Sequence, residues 1–89
     1  MNDVRKGERI FKGVAHKYRL QILDLLKRKP ELSIIEISEA LTIGLKNVSQ
    51  HIAKMEIAGL LMKRHDGNFV KLKLTARGSS ILQFYRIVE

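Results

Sequence analysis

The chain has 89 residues, of which 45% are apolar and 29% charged, a balance typical of a globular protein rather than a disordered one. Its formal net charge of +8, from 17 basic and nine acidic residues, attracts polyanions such as DNA, RNA or an acidic membrane surface. It has no cysteine, which excludes disulfides and thiolate metal ligands, and no apolar run approaches the ~18 residues of a membrane span. We therefore expect one domain over residues 1–89 and a cytoplasmic location.

The first third of the chain predicts two helices. Residues 8–15 place several apolar side chains on one side of a short first helix. Those side chains belong to Ile10, Phe11 and Val14. A longer helical pattern covers residues 16–29, and Pro30 prevents its continuation because proline has no amide hydrogen to donate.

A helix-turn-helix pattern follows. Ser33 and Glu36 have the spacing of a capping box, in which a hydroxyl and a carboxylate satisfy the free amides of the first helical turn. They predict a third helix over residues 34–41. Residues 42–44 then predict a turn, because the glycine at its end allows the next helix to leave at a steep angle.

The fourth predicted helix, over residues 45–58, has one apolar and one polar face. Its apolar side chains, at helical spacing, are Val48, Ile52 and Met55. The opposite face carries Lys46, Asn47, Ser49, Gln50 and Lys54. Small polar side chains are unusual on an ordinary exposed helix, where Glu, Lys and Arg are favoured. This face is therefore typical of a helix that contacts base edges in a DNA groove.

Two strands over residues 62–74 predict a basic β-hairpin, or wing, with its turn at Asp66-Gly67. In the second strand Val70, Leu72 and Leu74 are expected to face inward, and Phe69, Lys71 and Lys73 outward. Thr75 is predicted to cap the start of a last helix. That helix has an apolar stripe of Ile81, Leu82, Tyr85 and Val88. The fold class is then mainly α (α+β), with about five helices and a two-stranded wing.

From Val14 to Thr75 the sequence resembles the winged helix-turn-helix repressors of the arsenical-resistance (ArsR) type. The likeness rests on Ala15-His16-x-x-Arg19 in the second helix, Val48-Ser49-Gln50-His51-Ile52 in the fourth, and Arg64-x-x-Gly67 in the wing. The segment Leu74-Thr75-x-x-Gly78 is also common in MarR-like winged-helix proteins.

The resemblance implies a homodimeric transcriptional repressor with one recognition helix per subunit in the major groove of a palindromic double-stranded DNA operator. By position, the residues that match DNA-contacting ones are Arg19, Lys46, Asn47, Ser49, Gln50, His51, Lys54, Arg64, Asn68 and Lys71. A domain this small also gains stability by pairing its first and last helices with those of a second copy. The interface is then expected to contain Ile10, Phe11, Val14, Ile81, Leu82, Tyr85 and Val88.

The chain departs from the family where many members bind metals. In those members, by the resemblance, the ligands are a cysteine pair in the third helix or Asp, His and Glu side chains on the last helix. Here residues 34–38 contain no cysteine, and the last helix carries Ser79, Ser80 and Gln83. The histidines, none of which lies four residues from another, are His16, His51 and His65. We expect neither a metal nor a cofactor.

The sequence also lacks a glycine-rich phosphate loop and any paired nucleophile and base, so we do not expect an enzyme. The preferred hypothesis is a sequence-specific DNA-binding regulator. Two alternatives stay open. One is a module that binds nucleic acid without sequence preference, and the other is a winged helix that acts as a protein–protein adaptor.

Overall fold

The computed structural model describes residues 3–89, which form five helices and one three-stranded antiparallel sheet. The helices are α1 (Val4–Val14), α2 (Lys17–Arg28), α3 (Ile34–Leu41), α4 (Leu45–Ile57) and α5 (Ala76–Val88). The strands are β1 (Leu32–Ser33), β2 (Leu61–Asp66) and β3 (Phe69–Leu74). This arrangement confirms the winged helix-turn-helix prediction. No helix within the described residues is long and apolar enough to cross a bilayer.

Side-chain caps fix where the first two helices begin. Asp3 accepts a hydrogen bond from the backbone amide of Arg5 at 2.9 Å, so α1 starts four residues before the predicted position. This turn was not predicted because it carries little apolar periodicity, whereas an aspartate cap suffices to satisfy a free amide. His16 caps α2 in the same way, since its Nδ1 accepts from the amide of Tyr18 at 3.1 Å.

The helix-turn-helix begins with the predicted capping box. The Ser33 hydroxyl accepts from the Glu36 amide at 3.1 Å, and the Glu36 carboxylate accepts from the Ser33 amide at 2.9 Å. These hydrogen bonds hold the pKa of Glu36 below its usual value. Thr42 ends α3 in the left-handed region (φ 55°), and Gly44 then opens α4.

The sheet differs from the prediction in two respects. It has a third strand, β1, which pairs with β3 through Leu32 opposite Leu72. Two residues are too few to show a strand period in a sequence. The hairpin turn is also one residue later than predicted, because Asp66 pairs with Phe69 and the two loop residues are Gly67 and Asn68. Gly67 alone in this loop has positive φ (62°), as in a type II′ turn with glycine at its first central position.

The core lies between α2, the inner faces of α3 and α4, and the inner face of the sheet. Its fully buried side chains are Ile22, Leu23, Leu26, Ile37, Val48, Ile52, Met55, Leu60 and Leu72. Thr75 caps α5 as predicted, with its hydroxyl accepting from the Gly78 amide at 3.0 Å. The core also contains Val14 and Leu82, which were expected at a dimer interface. Both are buried within this one chain and are unavailable to a partner.

Gly78 lets α5 lie directly against the backbone of Leu60. A Cβ atom at this position would lie 2.2 Å from the Leu60 carbonyl oxygen. We expect Gly78→Ala to lower the free energy of unfolding by about 1–3 kcal/mol, because the overlap outweighs the better helix propensity of alanine. Urea unfolding measures the change.

The matched control is Ser80→Ala, which replaces an exposed residue on the same helix. We expect it to change stability by less than about 0.5 kcal/mol. A Gly78→Ala protein as stable as this control would show that α5 can move away from Leu60 at no cost.

Candidate nucleic-acid interface

The outer face of α4 is polar and exposed. Val48, Ile52 and Met55 are buried on its inner side, so the helix can present only its other side to solvent. The predicted contact residues that are exposed on α4 are Lys46, Asn47, Gln50 and Lys54. Ser49 and His51 are half-buried at the edges of this face. The structure therefore brings the predicted base-contacting residues together on one accessible surface.

Arg19 joins three helices instead of projecting freely into solvent. From α2, its Nε donates to Nδ1 of His51 on α4 at 3.1 Å. One of its terminal nitrogens donates to the Lys12 carbonyl near the end of α1 at 2.7 Å. The side chain is half-buried, and these two bonds hold its charge beside the exposed face of α4.

Three rings pack where α2 meets α4. The His16 and His51 centroids are 4.4 Å apart, and Tyr18 approaches His51 edge-on at 5.7 Å. Burial lowers the pKa of His51 below its usual 6.5, and the nearby charges of His16, Arg19 and Lys54 lower it further. The neutral ring keeps Nδ1 free to accept from Arg19, so the charge state of His51 and the position of α4 are linked.

The predicted wing residues lie on the outer face of the hairpin and at its tip. Arg64 and Lys71 are directly opposite each other on β2 and β3, and Asn68 lies in the turn. Arg64 forms a two-pronged ion pair with Glu31, whose carboxylate accepts from both Nε and a terminal nitrogen. This pair raises the pKa of Arg64 and lowers that of Glu31. Arg64 is therefore partly neutralised, which its spacing in the sequence did not reveal.

Lys63 connects the wing to α4, a role that the sequence analysis missed. Its Nζ lies 3.3 Å from a carboxylate oxygen of Glu56 near the end of the helix. It points toward α4 because it shares the inward face of β2, opposite Leu72. Strand alternation already predicts this face, because the predicted turn also pairs Lys63 with an inward residue, Val70, but the contact with Glu56 depends on the folded position of α4.

A basic cleft of about 410 Å³ separates α1 from the end of α4. Four of its lining residues are charged, and the full lining is Arg9, Lys12, Gly13, Ala15, Arg19, Lys54 and Ile57. Only two of the four cations, Arg19 and Lys54, were predicted as contact residues. Arg9 and Lys12 were missed, although their spacing puts them on one face of α1.

The terminal helices expose more apolar surface than the sequence analysis assigned to them. Of the expected interface residues, Phe11, Tyr85 and Val88 are exposed, and Ile10 and Ile81 are half-buried. Further exposed apolar side chains on these two helices are Val4, Phe84 and Ile87. Ile87 retains 74% of its surface in the isolated chain. A concentration of such residues on two helices is typical of an association surface.

Among residues 3–89 no group of three or more His, Cys, Asp or Glu side chains is placed to hold an ion. The side chains of Ser79, Ser80 and Gln83 on α5 are poor donors for a transition metal compared with carboxylate or imidazole.

The comparison with protein families agrees with this geometry. The family described as a helix-turn-helix domain matches residues 14–64, from the end of α1 into β2. The match contains the whole of α3, the turn and α4. The chain belongs to the helix-turn-helix family, in its ArsR-like winged form.

Two curated relatives carry arsenic-related names. The ArsR-like chain is 31% identical over 74 residues to the arsenic resistance transcriptional regulator ArsR1 of Pseudomonas putida, covering 83% of this chain and 58% of the relative. It is 33% identical over 66 residues to the arsenical resistance operon repressor of Escherichia coli, covering 74% and 56%. The chain thus spans little more than half the length of these relatives.

Solved structures show the same fold. HlyU from Vibrio cholerae superimposes with a TM-score of 0.82 at 28% identity, covering 96% of this chain and 92% of that one. The homodimeric winged helix-turn-helix DNA-binding domain of a possible ArsR-family regulator from Mycobacterium bovis gives a TM-score of 0.87 at 24% identity, covering 96% and 79%.

The lowered pKa of His51 predicts that the stability of this ArsR-like chain depends on pH. Its folded-state pKa is lowered, so the unfolded chain binds a proton more readily. The free energy of unfolding is therefore expected to fall as pH drops below about 6.5 and through the lower folded-state pKa. The measurement is urea unfolding between about pH 7.5 and about pH 5.

His51→Gln is the comparison, because an amide oxygen can still accept from Arg19 but does not titrate. The variant should lose less stability than the wild type over this interval. Glu31 and Glu36 do not confuse the result, since their pKa values lie below 4.5. Parallel pH profiles for the two proteins would contradict the assignment.

Proposed function

We propose that this chain is a sequence-specific DNA-binding transcription regulator that acts as a homodimer. The observation that carries the proposal is the outer face of α4. Lys46, Asn47 and Gln50 are exposed there with no role in the core, and amide side chains can hydrogen-bond to adenine in the major groove. Membership of the ArsR-like family and the names of the curated relatives support it.

In this proposal phosphate contacts set the position of the protein and α4 reads the bases. Lys71 on β3 and Asn68 at the hairpin tip would contact the backbone on one side of the groove. Arg64 lies on the same face as Lys71, with Glu31 as its partner in the free protein. Lys54 and His51 lie toward the other end of α4 and complete the proposed contact surface.

The exposed apolar residues of α1 and α5 are the proposed dimer interface. A two-fold axis through these helices would bury the same surface on both subunits. The two recognition helices would then be about 34–36 Å apart, which is one turn of B-DNA, and would meet a palindromic site. The homodimeric M. bovis domain supports this arrangement through its fold.

Selection from a pool of random duplexes tests the proposed function. Enrichment of a palindrome bound at least ~10³-fold more tightly than random DNA is the expected result. Binding without enrichment that collapses as salt rises would favour a non-specific nucleic-acid module instead. No binding to any duplex at low salt would favour a protein–protein adaptor.

Gln50→Ala is expected to cost about 1–3 kcal/mol on the selected site and to relax the preference for one base pair. The reason is that the amide of Gln50 makes a base contact that alanine cannot make. Fluorescence anisotropy on the selected duplex and its single-base variants measures both effects. Lys71→Ala is the comparison, since loss of a phosphate contact should weaken all sequences alike. Unchanged preference after Gln50→Ala would contradict the placement of the base-contacting face.

Phe84→Glu is expected to convert the dimer to a monomer. The phenyl ring of Phe84 is exposed in the isolated chain, and a buried unpaired carboxylate at an interface is strongly unfavourable. Sedimentation velocity gives the oligomeric state, and circular dichroism checks that the fold is kept. Gln83→Glu, which adds the same charge at the neighbouring exposed position, should remain dimeric. A dimeric Phe84→Glu protein would place the interface elsewhere.

A further inference from the structure

We infer that the basic cleft between α1 and α4 is a binding site for a backbone phosphate of DNA, outside the groove that α4 occupies. The inference rests on the proposed function and extends it to two residues, Arg9 and Lys12, that no family resemblance or sequence pattern had assigned. The ligand class is a phosphate diester, and the partner is the DNA strand that borders the major groove.

The charge of the cleft is the first argument. Four of its seven lining residues are cations, and within the described chain none of the seven is acidic. Lys12 has a loose ion pair with Glu8 at 3.7 Å on its outer side. The ion pairs formed within residues 3–89 leave Arg9 and Lys54 without a carboxylate partner. Like charges gathered this way repel each other until an anion binds.

The dipoles of α1 and α4 disfavour the binding of an anion in the cleft, but only weakly. Both α1 and α4 end near the cleft, and the free carbonyls of a helix end carry roughly half a negative charge. Arg19 already donates to one of these carbonyls, that of Lys12. Even with Lys12 paired with Glu8, the other three positive charges outweigh two partial negative ones, and the cleft favours an anion.

The length of α4 provides the second argument. Its 13 residues span about 20 Å at about 1.5 Å per residue, whereas the major groove is only about 12 Å wide. A helix that crosses the groove with its first turns inside brings its last turns beside the groove wall. Gln50 and Lys54 are one turn apart on the exposed side, so in that docking the cleft would lie beside the phosphates of the wall.

The orientation of α1 allows it to contribute to the phosphate site and to a dimer interface at the same time. Arg9 and Lys12 are on the side of α1 that faces the cleft, while Phe11 is exposed on the other side. One helix can then contact a second subunit with its apolar edge and a phosphate with its basic edge. The two contacts use different residues and can be tested separately.

The test is the salt dependence of binding to a duplex of about 30 base pairs, which needs no knowledge of the operator because phosphate contacts do not depend on sequence. Arg9→Gln/Lys12→Gln is expected to reduce the slope of log K against log salt by about 0.9 for each lost contact, or roughly 2 per subunit. Lys27→Gln/Lys29→Gln is the matched control. It removes the same charge at the far end of α2 from Arg19 and should leave the slope nearly unchanged.

Each outcome has a distinct meaning. Equal slopes for the two double variants would overturn the phosphate site while the proposed function stands. Failure of the wild type to bind any duplex would instead overturn the proposed function. A titration with inorganic phosphate, monitored through the backbone amide signals of Gly13 and Ala15, tests whether the cleft binds a free oxyanion instead of a DNA phosphate. Saturable phosphate binding together with an unchanged DNA slope would make the cleft a small-anion site and would overturn the inference. Sedimentation of the Arg9→Gln/Lys12→Gln protein should show the same oligomeric state as the wild type.

Discussion

The burial of one side of α4 is the constraint on which the rest of the structure depends. Val48, Ile52 and Met55 are at most 1% exposed, so the helix cannot rotate about its axis without moving apolar surface into water. At about 25 cal/mol per Å² of apolar surface, exposing even one such side chain costs roughly 1.5–3 kcal/mol. The polar residues on the other side are therefore held outward by the core and need no contacts of their own.

The end of α4 is held by the beginning of α5. Thr75 donates from its hydroxyl to the Gly59 carbonyl at 2.6 Å, and Arg77 donates to the Ala58 carbonyl at 2.9 Å. Gly78 lets this turn of α5 lie directly against Leu60. The helix that exposes the proposed dimer surface thus also fixes the corner that follows the proposed DNA-contacting helix. The angle between α4 and α5 is set by the close approach of Gly78 to Leu60 and by these two side-chain hydrogen bonds to backbone carbonyls.

Local chemistry in the sequence predicted most of the fold. The capping box at Ser33, the cap at Thr75 and the apolar period of α4 each depend on neighbours within four residues, and all three are confirmed. β1 was missed because its two residues form a strand only through pairing with β3. The hairpin turn was misplaced because Asp66-Gly67 and Gly67-Asn68 are both good turn pairs, and only the register of β3 decides between them.

In the candidate site too, local features could be predicted from the sequence and long-range contacts could not. The exposed face of α4 followed from helical periodicity, whereas the partners of the cations did not. Arg19 meets His51 across 32 positions and Arg64 meets Glu31 across 33. Such pairs exist only once the chain has folded. The burial of Val14 and Leu82 was also beyond the sequence, because a stripe on a terminal helix can serve either its own core or a second subunit.

The ion pair between Arg64 and Glu31 affects how the charge of this protein should be counted. Two opposite charges held together have no net charge, so this part of the wing displaces few counterions from DNA. In the proposed complex Arg64 would fix the position of the hairpin by hydrogen bonds and contribute little to the long-range attraction. The formal charge of +8 already counts this pair as zero, so the net attraction on a distant duplex comes from the remaining residues. That attraction would come mainly from cations without a carboxylate beside them, such as Lys46 and Lys54.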